Sequence, residues 1–514
     1  MDRYDRATTA RDKGPGHVPQ AHRRQFLLAP REVEVAGHWR RQPFGASGIL
    51  YSCPDLPISQ AQDGEGTPWL LLGRAIESDP RRPDALASIA RVPTSEVAEL
   101  SRSWAGRWLL MSPSDVYPDA SALLGCFYHS DREGGLWASS SPALIAQHAF
   151  AAPPAIADNR VLVYEQGISW FPPPLSRFAG LRRLLPSQRL ARARGQPEPH
   201  RWMPAIQPSA DEEALTAWLI ETLRTVMTRL AAAAGEPPWL GLTAGFDSRL
   251  MLTIALDAGL EVRPYTRLTE RMTVADRILP RLIAKQTGVR HWLMPETASR
   301  KAMKARRELL TRHAAGHVSD GDARPFLTGA RDGMSGVTFG GHGFAIAGGF
   351  NDWRSFPERM PPPPEAAALL MRSMGEPLNS PAAAGLAEWF AWAEAHPQLH
   401  LDWRDRLFLE QRQAGWLASK EQLFDLTRLE RFPILNAATV YARILGLPAA
   451  QRLGSRLQQC MIETLRPDLA KLPFNPSDRS FLARYPHLVL RRRYRRLLKR
   501  AARPLLHLAN ADTA

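Results

Sequence analysis

Between residues 24 and 201 the apolar positions fall in short runs separated by turn residues. They are Phe26-Leu27-Leu28, Gly48-Ile49-Leu50-Tyr51, Trp69-Leu70-Leu71-Leu72, Trp108-Leu109-Leu110-Met111, Cys126-Phe127-Tyr128 and Leu136-Trp137-Ala138. Runs this short, set between turn residues, predict strands rather than helices. Only residues 83–101 read as a polar-faced helical piece, so this half is predicted to be a mainly β, layered domain. The pattern then changes near residue 208. Leu215, Leu219, Leu223, Met227 and Leu230 recur at intervals of three or four, which predicts a helix over 211–234. Beyond it strand and helix patterns alternate: strand 239–242, helix 248–260, strand 261–266, helix 274–288, strand 289–294. That alternation predicts a parallel α/β sheet. From about residue 361 to the end the pattern is helical, with Arg406 and Glu410 one turn apart and able to pair. Residues 1–24 are polar and aperiodic, and are expected to be disordered.

The 514 residues are enough for two or three domains, and an apolar content of 44% is ordinary for a globular chain. The first residues are too polar for a signal peptide, and no run of about eighteen apolar residues occurs. A cytoplasmic protein without a membrane span is expected. Cys53, Cys126 and Cys460 are far apart, with no metal-ligand spacing, and read as buried thiols in a reducing compartment. The net charge of +15 raises nucleic acid or an anionic membrane as partners. However, eight Lys and Arg against the single Asp512 lie beyond residue 488, within a basic tail spanning 487–514. A solvated basic helix end accounts for about half the excess without a nucleic-acid partner.

The stretch that carries chemistry is Trp239-Leu240-Gly241-Leu242-Thr243-Ala244-Gly245-Phe246-Asp247-Ser248-Arg249. A short strand, then small residues, then a helix start is the layout in which backbone N–H groups meet a phosphate. Gly245 permits a tight turn and close approach to an anion. Asp247 repels phosphate directly but suits a Mg²⁺ shared with phosphate oxygens. Ser248 can cap the helix and donate to a phosphate. In a parallel sheet this loop lies at the carboxyl end of a strand, where open α/β sheets bind ligands. The Gly-Lys-Ser/Thr of a P-loop is absent.

This segment resembles the Ser-Gly-Gly-x-Asp-Ser pyrophosphate loop of the asparagine synthetase family, with Thr243 and Ala244 replacing its first Ser and Gly. Weaker matches extend over residues 25–485. Gly106-Arg107-Trp108-Leu109-Leu110 and the segment 119–128 resemble parts of that family's glutaminase-like domain. Gly340-Gly341-His342-Gly343 with Gly348-Gly349 resembles its second glycine signature, and Arg431-Phe432-Pro433-Ile434-Leu435-Asn436 its Arg-x-Pro-Phe-Leu-Asp segment. Residues 469–481 resemble the late loop that brings a Lys to the adenylate's phosphate. The resemblance implies an α+β, layered β-rich N-terminal domain of the Ntn-hydrolase type over 25–207. An α/β parallel-sheet ATP-pyrophosphatase domain with a helical C-terminal part would follow over 208–486.

The same resemblance implies ATP and Mg²⁺ as cofactors. Leu242, Thr243, Ala244, Gly245, Asp247, Ser248, Thr266 and Gly341 would surround the nucleotide, with Asp247 on the metal. His342 sits where amide-forming relatives carry a residue able to touch the nucleophile, and is the candidate general base. Arg479 or Lys471 would supply the late-loop cation. Asp276 reads as a helix cap and His291 as a core or strand-edge residue. Three positions depart from the pattern. Asp2 follows Met1 where a glutaminase of this class has its nucleophilic Cys, so no glutamine hydrolysis is expected. Ala345 occupies the place of an acid that helps hold Mg²⁺, leaving Asp276 or Asp352 as possible replacements. Asp478 occupies the place of the late-loop Lys.

The implied activity is ATP-dependent amide formation. A carboxylate and ATP give an acyl-adenylate and pyrophosphate, and an amine then displaces AMP. The expected substrate is a small-molecule or peptide carboxylate. Without glutamine as nitrogen source, an amine on the substrate becomes the acceptor, as in β-lactam synthetases and lasso-peptide macrolactam synthetases. The basic surface would suit an acidic precursor peptide. The alternative is a degenerate, non-catalytic member that binds a nucleotide or partner, which Ala345 and Asp478 together favour. A tRNA-modifying or other nucleic-acid role would explain the charge but fits the β-rich first half poorly.

Overall fold

A computed structural model describes residues 21–45, 48–157, 170–269, 272–311, 320–348, 355–375 and 377–486. Its first half holds twelve strands: β1 (Phe26–Ala29), β2 (Arg40–Phe44), β3 (Gly48–Ser52), β4 (Ile58–Gln62), β5 (Pro68–Glu77), β6 (Trp104–Met111), β7 (Asp115–Pro118), β8 (Phe127–Ser130), β9 (Leu136–Ser139), β10 (Arg182–Arg183), β11 (Gln188–Ala191) and β12 (Gln196–Pro199). They form two antiparallel six-stranded sheets, ordered β10-β8-β9-β1-β3-β2 and β12-β11-β7-β6-β5-β4. Phe26, Leu28 and Leu50 of the first sheet share one core with Leu72, Leu109 and Met111 of the second. The alternate residues of the same strands point outward and are buried too. Leu27, Tyr51 and Trp137 pack on helix α3 (Pro142–His148). Trp69, Trp108 and Leu110 pack on α1 (Ala85–Ile89) and α2 (Thr94–Leu100). Strands covered on both faces have no polar side to show, so they read as continuous apolar runs. The stretch 83–101, expected as one helical piece, is these two short helices, separated where Pro93 interrupts the chain.

The second half begins with α4 (Glu212–Ala234), capped by Asp211, whose carboxylate accepts from Ala214 N at 2.8 Å. Five strands follow: β13 (Trp239–Gly241), β14 (Arg263–Leu268), β15 (Trp292–Pro295), β16 (Gly336–Gly340) and β17 (Leu429–Pro433). They pair in parallel, in the order β15-β14-β13-β16-β17. Helices α5 (Phe246–Asp257) and α6 (Val274–Thr287) make the crossovers from β13 and β14. β17 corrects the expectation that everything beyond residue 361 is helical. Leu429, Phe432 and Pro433 are buried where β17 closes one edge of the sheet, and Glu430 turns outward to Arg74 of β5.

That edge is also where the two halves join. Arg107 of β6 grips the Asp425 carboxylate with two bonds of 2.7 and 2.6 Å. Asn436 Nδ2 donates to Gly106 O and to Asp119 Oδ1, both at 2.7 Å. Gly106 adopts φ +126°, and a Cβ there would meet Phe432 at 2.9 Å, so only glycine lets the sheets approach this closely. Residues 21–24, read with the disordered tail, instead form an ordered turn. Buried Arg24 donates to Leu429 O at 2.7 Å. The rest of that tail, the basic tail and Asp352 lie outside the described residues.

The helix 403–425 supports this junction, its middle part (Phe408–Leu417) wound in the wider π form. The expected Arg406–Glu410 pair is present, buried, at 3.1 Å. Among the described residues no helix is long and apolar enough to cross a membrane.

Candidate active site

A cavity of about 610 Å³ opens at the carboxyl ends of β13, β14 and β16, with the segment 241–248 forming one side. The loop between β13 and α5 is fixed by its own small polar groups. Ser248 Oγ lies 3.0 Å from both Thr243 N and Thr243 Oγ1, and Gly245 N donates to Thr243 Oγ1 at 3.1 Å. Ala244 N donates to Asp276 Oδ1 at 2.8 Å. Asp276 is therefore a loop-holding residue as well as a member of the first turn of α6, where Thr273 serves as cap. The N-cap of α5 is Gly245, which offers no side-chain acceptor. The first-turn N–H groups of α5 are thus left for a ligand or water.

Asp247 stands at this helix start. Burial pushes its carboxyl up to about 6, against a small lowering from Gln458, whose Nε2 donates to Oδ1 at 3.2 Å. Gly341, at the end of β16, lies directly against it. A Cβ on Gly341 would fall 2.5 Å from Asp247 Cβ and 3.1 Å from its backbone. Replacing Gly341 by Ala is expected to displace Asp247 and destabilise the fold by about 1–3 kcal/mol through overpacking. Thermal melting checks this, and a wild-type melting temperature would refute the close approach.

The late loop reaches the site, though not through the residues expected. Lys471 and Arg479 are both exposed, and neither lines the cavity. Asp478 accepts from Val274 N at 2.7 Å at the start of α6, a role that a Lys could not fill. The contact is made instead by Arg249, fully buried in α5. It donates to Leu469 O (3.1 Å), Leu472 O (2.8 Å), Pro473 O (2.8 Å) and Ala244 O (3.2 Å). Its guanidinium lies 3.9 Å over the Phe474 ring, and Phe474 stacks on Phe246 at 4.0 Å. Asn475 N completes the clamp by donating to Ala244 O at 3.2 Å.

Thr266 lines the cavity, but its hydroxyl is taken by Leu242 O at 2.7 Å and His291 Nε2 at 2.9 Å. His291, pushed down to about 4 by burial and by Arg281, is a neutral strand-edge partner.

The wall across from the loop is cationic. It carries Arg267 from β14, Arg331 from the turn before β16, Arg431 from β17, and Lys420 from the helix 418–425. Arg431 faces Glu421 at 3.5 Å and donates to His342 Nδ1. Burial, then Arg431, Lys420, Arg331 and Arg267, hold His342 well below its ordinary value, so it is neutral. Burial raises Tyr265, but the summed field of Arg331, Arg431 and Arg267 outweighs that and leaves its phenol below the usual range. Burial likewise leaves Glu421 above the ordinary carboxyl value despite Arg431.

Leu242, Thr243, Gly245, Asp247, Ser248, Thr266, Gly341 and His342 therefore all line one cavity, with Ala244 held just behind it. Sequence reasoning did not find Arg249, Gln458, Arg267, Arg331, Lys420 or Glu421. Only Arg249 and Arg431 fell within segments singled out there. No protein-family model matches the chain, and no curated protein matches it significantly.

Proposed function

We propose that the cavity binds ATP, with the phosphates over the β13–α5 loop, and that the protein is an ATP-dependent amide-forming ligase of the asparagine synthetase type. The observation that carries this reading is the convergence on one cavity of an uncapped helix start, the buried Asp247 and a cationic wall. On this reading the layered first half is of the Ntn-hydrolase type, and the second half an ATP-pyrophosphatase domain. Donors and cations are what a polyphosphate and a developing acyl-adenylate need. In the first step a carboxylate oxygen attacks the α-phosphorus of ATP, and the bond to the bridging oxygen breaks as pyrophosphate leaves with its electron pair. In the second, an amine attacks the acyl carbon, AMP departs, and the nitrogen gives up a proton. Substrate-borne amines are favoured as acceptors, either on the activated acid, which would make a peptide macrolactam synthetase one form of this activity, or on a second molecule.

Three acids line the cavity. Asp276 already accepts from Ala244 N and Thr273 Oγ1, and Glu421 pairs with Arg431. Asp247 has only the Gln458 amide, so it is the acid placed to share a Mg²⁺ with phosphate oxygens. No cluster of three or more metal-binding side chains exists among the described residues. A Mg²⁺ here would take its remaining ligands from phosphate and water, as Mg²⁺ commonly does. When bound, it would neutralise phosphate charge. His342 is a poor base because burial disfavours its protonated form and four cations face it. A bound polyanion would offset the cationic part of that penalty. Arg431 and Lys420 take the part assigned to Lys471 and Arg479.

A second reading, a non-catalytic nucleotide-binding member, is favoured by Ala345, which opens a short helix and supplies no acid, and by the cap role of Asp478. Production of AMP and pyrophosphate across a panel of carboxylic acids, amino acids and acidic peptides separates the two. Carboxylate-dependent pyrophosphate supports the ligase, and its absence with every acid supports the alternative. The metal assignment also predicts a pH dependence. Because burial lifts Asp247 to about 6, protonation removes the ligand below that pH. Mg²⁺-dependent ATP affinity is expected to be flat above pH 7 and to fall about tenfold per pH unit below 6. Calorimetry between pH 5 and 8 checks this, and a flat profile would remove Asp247 from the metal.

A further inference from the structure

The cationic wall has more positive charge than the cavity's own acids can answer. The Arg267 side chain is half-buried, lines the cavity, and makes no hydrogen bond or ion pair with any described residue, Tyr265 and Glu296 attracting it only at longer range. Arg331 lies beside it, its guanidinium 4.1 Å over the Phe424 ring and hydrogen-bonded to the Tyr265 hydroxyl, with its Nε buried and unpartnered. Arg431 covers the same ring at 4.9 Å, is itself only 7% exposed, and has Glu421 as its acid. Lys420 stands 4.4 Å over Trp416. Three guanidinium groups thus meet one cavity-lining acid on this wall, and that acid is taken by Arg431.

Partly buried positive charges in excess of the acids beside them are costly, and an anion in the cavity would offset that cost. The geometry also selects the kind of anion. Arg331 and Arg431 are held over one aromatic ring, and the planar N–H fork of a guanidinium favours bidentate acceptance by planar carboxylates. The same wall has no acid left to receive an ammonium group, since Glu421 is paired and Asp276 and Asp247 belong to the loop side. The volume of about 610 Å³ is that of an ordinary small-ligand pocket. It has room for a nucleotide and a compact acid.

We propose that Arg267, Arg331 and Arg431 form a subsite for a compact polycarboxylate lacking an ammonium group, and that such an acid is the substrate the enzyme activates. The activation rests on the ligase reading; binding of the acid does not. The test is calorimetric titration of the full chain, without ATP, using tricarballylate, aspartate and propionate. Tricarballylate is expected to bind at least tenfold tighter than either of the others. Arg267→Met should weaken it at least tenfold, while Arg267→Lys, which restores the charge without the planar fork, should recover only part of that loss. The Arg267 side chain has no hydrogen bond or ion pair to lose among the described residues, so both variants are expected to fold.

Aspartate binding as tightly as tricarballylate would overturn the proposal, as would no tricarballylate binding at millimolar concentration. A pyrophosphate titration supplies the remaining arm. If Arg267→Met weakens pyrophosphate but leaves tricarballylate untouched, the wall serves the leaving group and the proposal falls. Failure of the ligase reading looks different: tricarballylate binds as expected, yet no acid in the panel supports pyrophosphate release.

Discussion

Asp247→Ala is expected to abolish pyrophosphate release and Mg²⁺-dependent ATP binding without lowering the melting temperature. The two halves of that expectation have one cause. Burial raises the carboxyl of Asp247 from 3.8 to about 6, so the folded protein binds this proton more tightly than the unfolded chain does. The stabilising contribution of a group shifted upward is present at low pH and lost as pH rises through the folded value. At pH 7.5 the ionised Asp247 is therefore a cost to the fold, offset only by the Gln458 amide at 3.2 Å. Alanine removes that cost together with the proposed metal ligand. A residue kept against stability is what a functional site is expected to contain. Loss of a preorganised electrostatic group of this kind lowers turnover at least about 100-fold. Turnover, calorimetry and a thermal melt on the same variant decide the matter. Unchanged turnover would sink the ATP-site assignment, and a sharp drop in melting temperature would make Asp247 structural.

The loop around Asp247 was legible because its determinants are contiguous. A strand, small residues, an acid and a helix lie within eleven positions, from Trp239 to Arg249, and the structure keeps them together. The alternation that placed β13, β14 and β15 in a parallel sheet is similarly local. The cationic wall had no such signature. Arg267, Arg331, Lys420 and Arg431 come from four segments that meet only because β14, β16 and β17 end on one side of the sheet. β17 itself was hidden in a helical region, since five residues bearing Glu430 and Arg431 show neither clear alternation nor an apolar run. What marks them as a strand is pairing to β16, from Gly336↔Leu429 to Gly340↔Pro433. The late loop shows a third kind of miss. Its approach to the site was anticipated, but the cation was sought within the loop at Lys471 or Arg479, whereas Arg249 reaches out from the helix to hold the loop by its carbonyls. A contact made through backbone oxygens leaves no trace in the identity of the residues that provide them.

Asp425→Ala is expected to lower stability by about 3–5 kcal/mol, the largest effect on folding among the substitutions considered. Asp425 ends the helix that carries Lys420 and Glu421 into the cavity, and its carboxylate is 2% exposed. It accepts from Arg107 Nη1 and Nη2 across the junction of the two halves, and from Gln25 Nε2 at 2.9 Å. Arg107 is 7% exposed, so removing its partner leaves a buried guanidinium with only the Leu123 carbonyl as direct acceptor. The loss is therefore that of an uncompensated buried charge, not of a surface ion pair worth under about 1 kcal/mol. Removing both charges should cost less than removing one. Arg107→Met with Asp425→Leu is expected to recover much of the stability, because apolar groups of similar volume replace a buried pair at little penalty. Urea denaturation of the wild type, the single variant and the double variant measures this. A single-variant loss below 1 kcal/mol, or a double variant no better than the single, would show that the pair does not fasten the β-rich half to the helix bearing the cavity's cations.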